Sequence, residues 1–288
     1  MKPNTGLINV PHSDRAIGRD SAIKYSTRSH TGRTAHVLRD LLFVLTWRDI
    51  KIKYKQSVMG FLWAVLMPAI IVGAGMLIRV AMSKMSGAQL SPDSLASIAV
   101  KALPWAFFIS AIRFATNSLT SNANLVTKIN CPRIAFPVAA VLSALFDLAI
   151  AIVPLTAVLA WCGVVPSYVL LWVPLIVTLL VLLVSGLGIA FSALNLFFRD
   201  VKYIVEILLT FAIFFTPVLY DVDMLGEWRF WVLLNPIAPL LESLRSVVVL
   251  NVAPDLGWLL YSAVVSLTVS ACSWWLFYKL EPAFADSV

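Results

Sequence analysis

Six stretches of the chain are apolar for long enough to form membrane-crossing helices, at about residues 60–82, 103–123, 137–160, 168–195, 203–220 and 257–279. An α-helix needs roughly 20 such residues to cross about 30 Å of hydrocarbon, where backbone groups can only satisfy one another. The fifth stretch is the least regular, because Glu206 and Pro217 bracket it and its length also suits a buried or broken helix. It is kept as a span because an even number of crossings puts both termini on one side.

Two further segments are patterned without being long enough to span. In "HVLRDLLFVLTWRDIKIKYKQS", Leu38, Leu41, Leu42 and Leu45 share one helical face that Arg39, Asp40, Thr46 and Arg48 avoid. This predicts an amphipathic helix over 36–56, lying in the membrane interface with its charges toward water. A strand competes over "IKIKYK", but its period-two alternation covers only those six residues. In "GEWRFWVLLNPIAPLLESLRSVVVL", charge and prolines interrupt an apolar run, and Asn235 before Pro236 reads as a helix start. Two short re-entrant helices within 228–250 are expected, with Trp228, Phe230 and Trp231 at headgroup level; a single amphipathic surface helix is the alternative.

Composition agrees with this pattern: 60% of residues are hydrophobic and 13% charged, with a mean hydropathy of +0.88. That excludes an ordinary soluble domain. The fold class is therefore an all-α integral membrane protein of six transmembrane helices, with an N-terminal interface helix and two re-entrant helices between spans five and six. Residues 1–35 are polar, lack the apolar core of a signal peptide, and are expected to form a flexible tail.

Charge sets the orientation. Of 22 basic residues, 11 precede residue 60, and Lys128, Arg133, Arg199, Lys202 and Lys279 mark the ends that would share their side. Residues 221–256 carry Arg229 and Arg245 against Asp221, Asp223, Glu227, Glu242 and Asp255. Lys and Arg remain on the cytoplasmic side, so both termini are expected there. Lys51, Lys53 and Lys55 would anchor the first span and face anionic lipid headgroups.

Familiar catalytic chemistry is missing. All three histidines precede residue 37, no Cys/His cluster has metal-ligand spacing, and Cys131, Cys162 and Cys272 are too scattered for a disulfide framework. No lysine follows a glycine, so there is no G-x-x-x-x-G-K-[ST] phosphate loop. If ATP drives this protein, another chain binds it. The "DVD" of 221–223 is a weak echo of a glycosyltransferase metal motif, with a solvated turn after the fifth span as the plainer reading. Neither a metal nor a nucleic acid is expected to bind.

Charges inside spans mark candidate functional positions, because hydrocarbon penalises them. Arg113 and Asp147 both fall near mid-membrane and are expected to neutralise each other, with a grip on an anionic substrate as the alternative. Arg79 and Lys84 are expected to snorkel to the interface. Along span five, Ile204, Ile207, Phe211, Phe214, Phe215 and Val218 keep helical spacing, ending at Tyr220. Such a stripe suits sliding contact with sugar rings, or simple packing against lipid or core. In span four, Gly186 with Ala190 and Gly188 with Ser192 would let helices approach closely.

The order "LRDLLFVLTWRDIKIKYKQSVMGFLWAVLMP", "NANLVTKINCPRIAFP", "LNLFFRDVKY" and "LNPIAPLLESLR" resembles the permease subunits of bacterial polysaccharide ABC exporters, over about residues 36–279. The resemblance makes 36–288 the transporter's transmembrane domain and implies a homodimer bound to two ATP-binding cassette subunits. ATP and Mg would sit on those partners, and this chain would be no enzyme. The cargo would be undecaprenyl-pyrophosphate-linked polysaccharide, O-antigen before capsule or teichoic acid, moved from cytoplasm to periplasm across the inner membrane. It implies Trp63, Met67, Phe211, Phe214, Phe215 and Tyr220 as channel lining. It implies ATPase coupling through Asn122, Asn124, Lys128, Cys131, Pro132 and Arg133. On this resemblance the cargo's pyrophosphate headgroup would enter along Arg48, Lys51, Lys53 and Lys55. A drug or lipid exporter permease is the alternative; a membrane glycosyltransferase would need catalytic carboxylates or a histidine at the membrane face, and a channel without an ATPase would be active alone.

Overall fold

The computed structural model describes residues 30–55, 60–86, 92–128 and 132–284, and every regular element among them is helical. The chain divides into two units, 1–41 and 42–288. The described part of the first is the opening of α1 (His30–Lys55), where Arg39 pairs with Asp40 at 3.3 Å on an exposed surface. The helix begins before the predicted residue 36, and the rest of the expected tail, 1–29, lies outside the described residues. The alternating "IKIKYK" is helical throughout, so the amphipathic pattern before it prevails over the short alternation.

The second unit holds the remainder of α1, α2 (Gly60–Ser86), α3 (Pro92–Ser121), α4 (Ala123–Lys128), α5 (Ala135–Trp161), α6 (Val173–Phe197), α7 (Val201–Ala212), α8 (Arg229–Leu233), α9 (Ile237–Val248) and α10 (Leu256–Leu280). Helices covering Asp93–Ser121, Ala135–Trp161, Tyr168–Phe197 and Leu256–Ala283 are long and apolar enough to cross a membrane. They match the second, third, fourth and sixth predicted spans. Asp255 fixes where the last one starts: its carboxylate accepts from the backbone N–H groups of Gly257 and Trp258 at 3.0 and 3.4 Å, satisfying donors that a helix start leaves unpaired.

The fifth predicted span is helical only through Ala212, and 213–220 continues as turns. A 12-residue helix rises about 18 Å, short of the hydrocarbon thickness. The first span corresponds to α2, whose apolar described stretch is Pro68–Ala81. Between α7 and α10 lie a 3-10 helix, Val222–Trp228, and two short helices, α8 and α9, which meet at Asn235–Pro236. Asn235 holds that junction, donating to Thr216 Oγ1 at 3.0 Å and accepting weakly from the Ile237 N–H.

The core is built around α3, which packs against α2, α5, α6 and α9. Trp105, Ile98, Ile112 and Leu119 along α3 are fully buried. Because lipid tails are as apolar as leucine, close approach rather than hydrophobicity must hold such helices together. The glycines of α6 provide it on two sides. A Cβ on Gly186 would lie 2.9 Å from the Ser270 backbone on α10, and one on Gly188 would lie 2.7 Å from the Ala115 Cβ on α3. The Ser270 hydroxyl donates to the Leu182 carbonyl at 2.8 Å across the first of these contacts.

Chain direction gives the bundle two ends. Helix α3 runs toward α4, where α5 begins, α6 stops and α10 stops; α8 and α9 belong to the opposite end.

Candidate functional site

The basic belt of α1 is partly neutralised. Arg48 forms a two-pronged contact with neighbouring Asp49, at 2.7 and 3.0 Å, and Lys51 lies 5.5 Å over the Trp47 ring. Lys53 and Tyr54 both reach the carboxylate of Asp147, near the middle of α5. Lys53 also sits 4.7 Å over the Phe114 ring of α3. Burial, and then the Asp147 carboxylate, push the Tyr54 phenol well above its ordinary range, so it stays protonated and donates. Lys55 is exposed. Thus Lys53, expected to face headgroups, is turned inward, while Lys51 and Lys55 keep to the surface.

This corrects the expected Arg113–Asp147 pair. Arg113 instead reaches Glu206 on α7 at 3.3 Å, with both side chains about half exposed (48% and 57%). The sequence places Arg113 and Asp147 at similar depth, but α1 inserts its own cation first. Both residues still line one cavity of about 250 Å³ with Lys53, Pro68, Ser110 and Phe114. A second, about 430 Å³, lies between α1, α3 and α5 and shares Lys53 and Phe114 with the first; Arg48, Asn117, Ser121 and Ser143 add polar lining. Ser110, Arg113, Asn117 and Ser121 recur at helical spacing, so α3 carries a polar stripe along an otherwise apolar helix.

The aromatic stripe of α7 and the turns after it is open. Phe211, Phe214 and Phe215 are 57%, 66% and 71% exposed, whereas Val205 and Leu209 on the opposite face are buried. Val218, placed on the stripe by spacing, is buried instead, because the helix ends before it. Tyr220 donates its hydroxyl to the Phe214 carbonyl at 3.2 Å, bracing the turns. Trp63 and Met67 lie in α2, but their side chains are outside the described residues. The root of α7 is fixed by buried Asn195, which donates to the Thr116 carbonyl at 3.0 Å and accepts from the Lys202 N–H at 3.2 Å. Sequence reading passed over Asn195, although it lies inside "LNLFFRDVKY".

The segment from Asn122 to Arg133 starts with a cap: the Asn122 amide donates to the Ser118 carbonyl at 2.7 Å, and its own carbonyl accepts from Leu125 N–H at 2.8 Å. Asn124 and Lys128 lie on the six-residue α4; the Lys128 side chain and all of Cys131 are outside the described residues. Pro132 is partly buried, and Arg133 donates to the Glu281 carbonyl at 2.8 Å.

At the α9 end lies a charge cluster that the sequence reading did not assemble. Lys101, fully enclosed, reaches Asp221 and Glu242, each at 3.1 Å, and the Tyr220 carbonyl at 2.7 Å. Arg79 meets Asp221 at 2.5 Å, and Arg245 meets Asp221 at 3.3 Å and Glu242 at 3.1 Å. Arg79 is therefore buried and paired rather than snorkelling. Burial alone would raise the Asp221 carboxyl, but Lys101, Arg245 and Arg79 together hold it below its ordinary value. Asp223 pairs with Arg229 and Arg245 at 3.5 Å. So "DVD" is split: Asp221 is buried among cations, whereas Asp223 stays 64% exposed, as a solvated turn would have it.

Among the described residues no cluster of His, Cys, Asp and Glu could hold a metal. A family model described as ABC-2 type transporter matches residues 40–249. An O-antigen export system permease protein RfbA of Klebsiella pneumoniae is 32% identical over 256 residues, covering 86% of this chain and 95% of that protein. The protein of the same name from Myxococcus xanthus is 28% identical over 260 residues, covering 89% and 98%.

Proposed function

This chain belongs to the ABC-2 type transporter family, and from that premise we propose that it is the membrane subunit of an ATP-driven exporter of lipid-linked polysaccharide. The two relatives named as O-antigen export permeases, each matched over nearly its whole length, support this choice of cargo. The observation that carries it is the open aromatic face of Phe211, Phe214 and Phe215, large rings that stay more than half exposed among the described residues. Stacked rings hold a sugar face without fixing its position, which a sliding polymer requires.

In this reading two copies form a homodimer with two separate ATP-binding cassette subunits, which bind ATP and Mg. Each copy crosses the inner membrane six times, α2 and the broken α7 being spans one and five. Both termini are cytoplasmic, and α8 and α9 dip into the outer leaflet from the periplasm. ATP favours the closed ATPase pair, and only that difference in affinity between states can do work on the permease. Asn122–Arg133 passes the motion on, separating α2 from α7. The pyrophosphate of the undecaprenyl carrier enters along Arg48, Lys51 and Lys55, where each cation near the surface contributes about 1 kcal/mol. Lys53 and Arg113 line the cavities behind them. Trp63, Met67, Phe211, Phe214, Phe215 and Tyr220 line the path.

The test is deletion of the gene in its host, with lipid-linked glycan fractionated by side of the inner membrane. Polymer should accumulate on the cytoplasmic face and be rescued by the intact gene, but not by one with Asn122–Arg133 scrambled. Normal surface polymer would overturn the polysaccharide reading and favour a drug or lipid exporter.

A further inference from the structure

At the α4 end, a short turn after α10 is bound far more tightly than a connector requires. The turn, Glu281–Ala283, delivers Phe284 into full burial. The Phe284 ring packs edge-on against Phe277 of α10, with centroids 5.1 Å apart, and against Phe197 at the end of α6, 5.6 Å away. The Arg133 guanidinium lies 5.9 Å from the centroid of the same ring and donates to the Glu281 carbonyl at 2.8 Å. One ring thus gathers the last residues of α6 and α10 and the approach to α5.

The placement of these partners gives the knot its meaning. Arg133 ends the segment that starts at Asn122, whose near end is secured to α3 through the Ser118 carbonyl. Phe197 is the last residue of α6, and the buried Asn195 two residues earlier holds the first turn of α7 through the Lys202 N–H. A displacement of Arg133 therefore reaches the root of α7 through two ring contacts. Aromatic rings packed in an interior transmit such a displacement because they have no slack to absorb it.

We infer that Arg133 and Phe284 are positioning residues for energy coupling: the turn after α10 holds the far end of segment 122–133 and links it to the base of α7. This rests on the exporter reading given above. The cation–π contact orients the guanidinium, and the carbonyl bond fixes its distance from the turn. Neither residue touches cargo or nucleotide in this assignment.

The experiment uses the full-length chain copurified with its ATPase subunit and reconstituted in proteoliposomes, measuring ATP turnover and polymer translocated per ATP. For Phe284→Ala, the complex should assemble and hydrolyse ATP, while polymer per ATP falls about tenfold, within the range of about 2- to 30-fold for residues in a coupling network. Phe284→Tyr, which keeps the ring, should restore the ratio to within about twofold. If Phe284→Ala does not assemble, Arg133→Gln decides, because it leaves the Phe197–Phe277–Phe284 packing in place. An unchanged ratio in whichever of the two assembles overturns the inference, and so does an equal loss of ATP turnover and translocation, which marks a merely structural role. An unsubstituted chain that binds no ATPase overturns the exporter reading itself, and is read before any variant.

Discussion

The two ends of the bundle handle buried charge in opposite ways. At the α9 end, Lys101, Arg79, Arg245, Asp221 and Glu242 share one network, and none of these side chains is more than 16% exposed. Toward the α4 end, charges pair singly: Lys53 with Asp147 and Arg113 with Glu206, the latter about half open. A network in which each carboxylate faces several cations cannot be broken one contact at a time, because every loss strands a charge in a medium that does not solvate it. The Arg113–Glu206 pair borders a cavity of about 200 Å³ that Thr116, Asn117 and Lys202 also line, so it can part more cheaply, with polar groups or water there to take up both charges. The α9 end is thus held rigid, tying α2, α3, α9 and the 220–223 turn. Of these pairs, the Arg113–Glu206 link between α3 and α7 is the one suited to break and re-form in the proposed movement of α7.

The largest test of that contrast is Asp221→Asn. It leaves Lys101, Arg79 and Arg245 facing a neutral amide, and should cost about 3–5 kcal/mol, the range for stranding a buried charge. Unfolding of the purified protein in detergent measures it, and a loss no larger than that of Glu206→Gln would erase the distinction between the ends. Lys101→Met is the companion: the isosteric chain fills the same space but leaves Glu242 to Arg245 alone, and its cost should fall when Glu242→Gln is added. An additive double variant would mean that the two groups are not coupled.

Asp221 also fixes a pH response. Its carboxyl is held below its unfolded value of 3.8, so its stabilising contribution is complete above that value and disappears only as pH falls through the lower, folded one. The gap in melting temperature between the native chain and Asp221→Asn should therefore be flat from about pH 5 to pH 8 and close only below about pH 4. A gap that shrinks between pH 8 and pH 6 would mean that the cluster is not organised as described.

How much of this was legible in the sequence follows from the range of each interaction. Apolar runs are local, so the third, fourth and sixth spans emerge close to the predicted boundaries, while the second starts at Pro92 rather than 103; the helix start at Asp255 is equally local. The small residues of α6 were legible as a pattern, though not that Gly186 serves α10 and Gly188 serves α3. The ion pairs were not legible, since Lys101 and Asp221 lie 120 positions apart and Lys53 and Asp147 lie 94 apart. Pairing Arg113 with Asp147 used depth alone, and depth does not say which helix fills the space between. Lys101 was passed over because a hydropathy window starts span two at 103, just beyond the charge. The signal was present in "SIAVKALPWAFF", a lysine with apolar residues on both sides, which only a buried partner can sustain. The break in α7 had a local cue in Pro217, but the helix stops at Ala212, before the proline, and the sequence offers no reason for that earlier end.

A smaller effect is expected at Asp147. Asp147→Asn removes the negative charge shared by Lys53 and Tyr54 and one of the two oxygens that accept from them, leaving Lys53 with Phe114. Lys53 is 31% exposed and can turn toward water, so the cost should be about 1–3 kcal/mol, below that of Asp221→Asn. The variant should also loosen α1 against α5, seen as faster amide exchange over 48–55. Unchanged exchange there would show that α1 is held by packing at Leu45 rather than by the carboxylate.

The smallest effect on stability belongs to Glu206→Gln. Its partner Arg113 is about half exposed, so the lost attraction should be worth no more than about 1 kcal/mol, and should shrink further with added salt. Its informative readout is the position of α7, because Glu206 lies on the helix that also carries Phe211, and Arg113 lies on α3, which the network at the other end holds still. With the pair removed, a spin label at Tyr203 should report a broader distance distribution to one at Ser121. The same pair of labels in Asp221→Asn should report little change at this end, since that variant acts on the far side of α3. If instead Glu206→Gln leaves the distribution as narrow as in the native chain, then Asn195 alone fixes the base of α7, and the weaker charges do not give that helix its freedom.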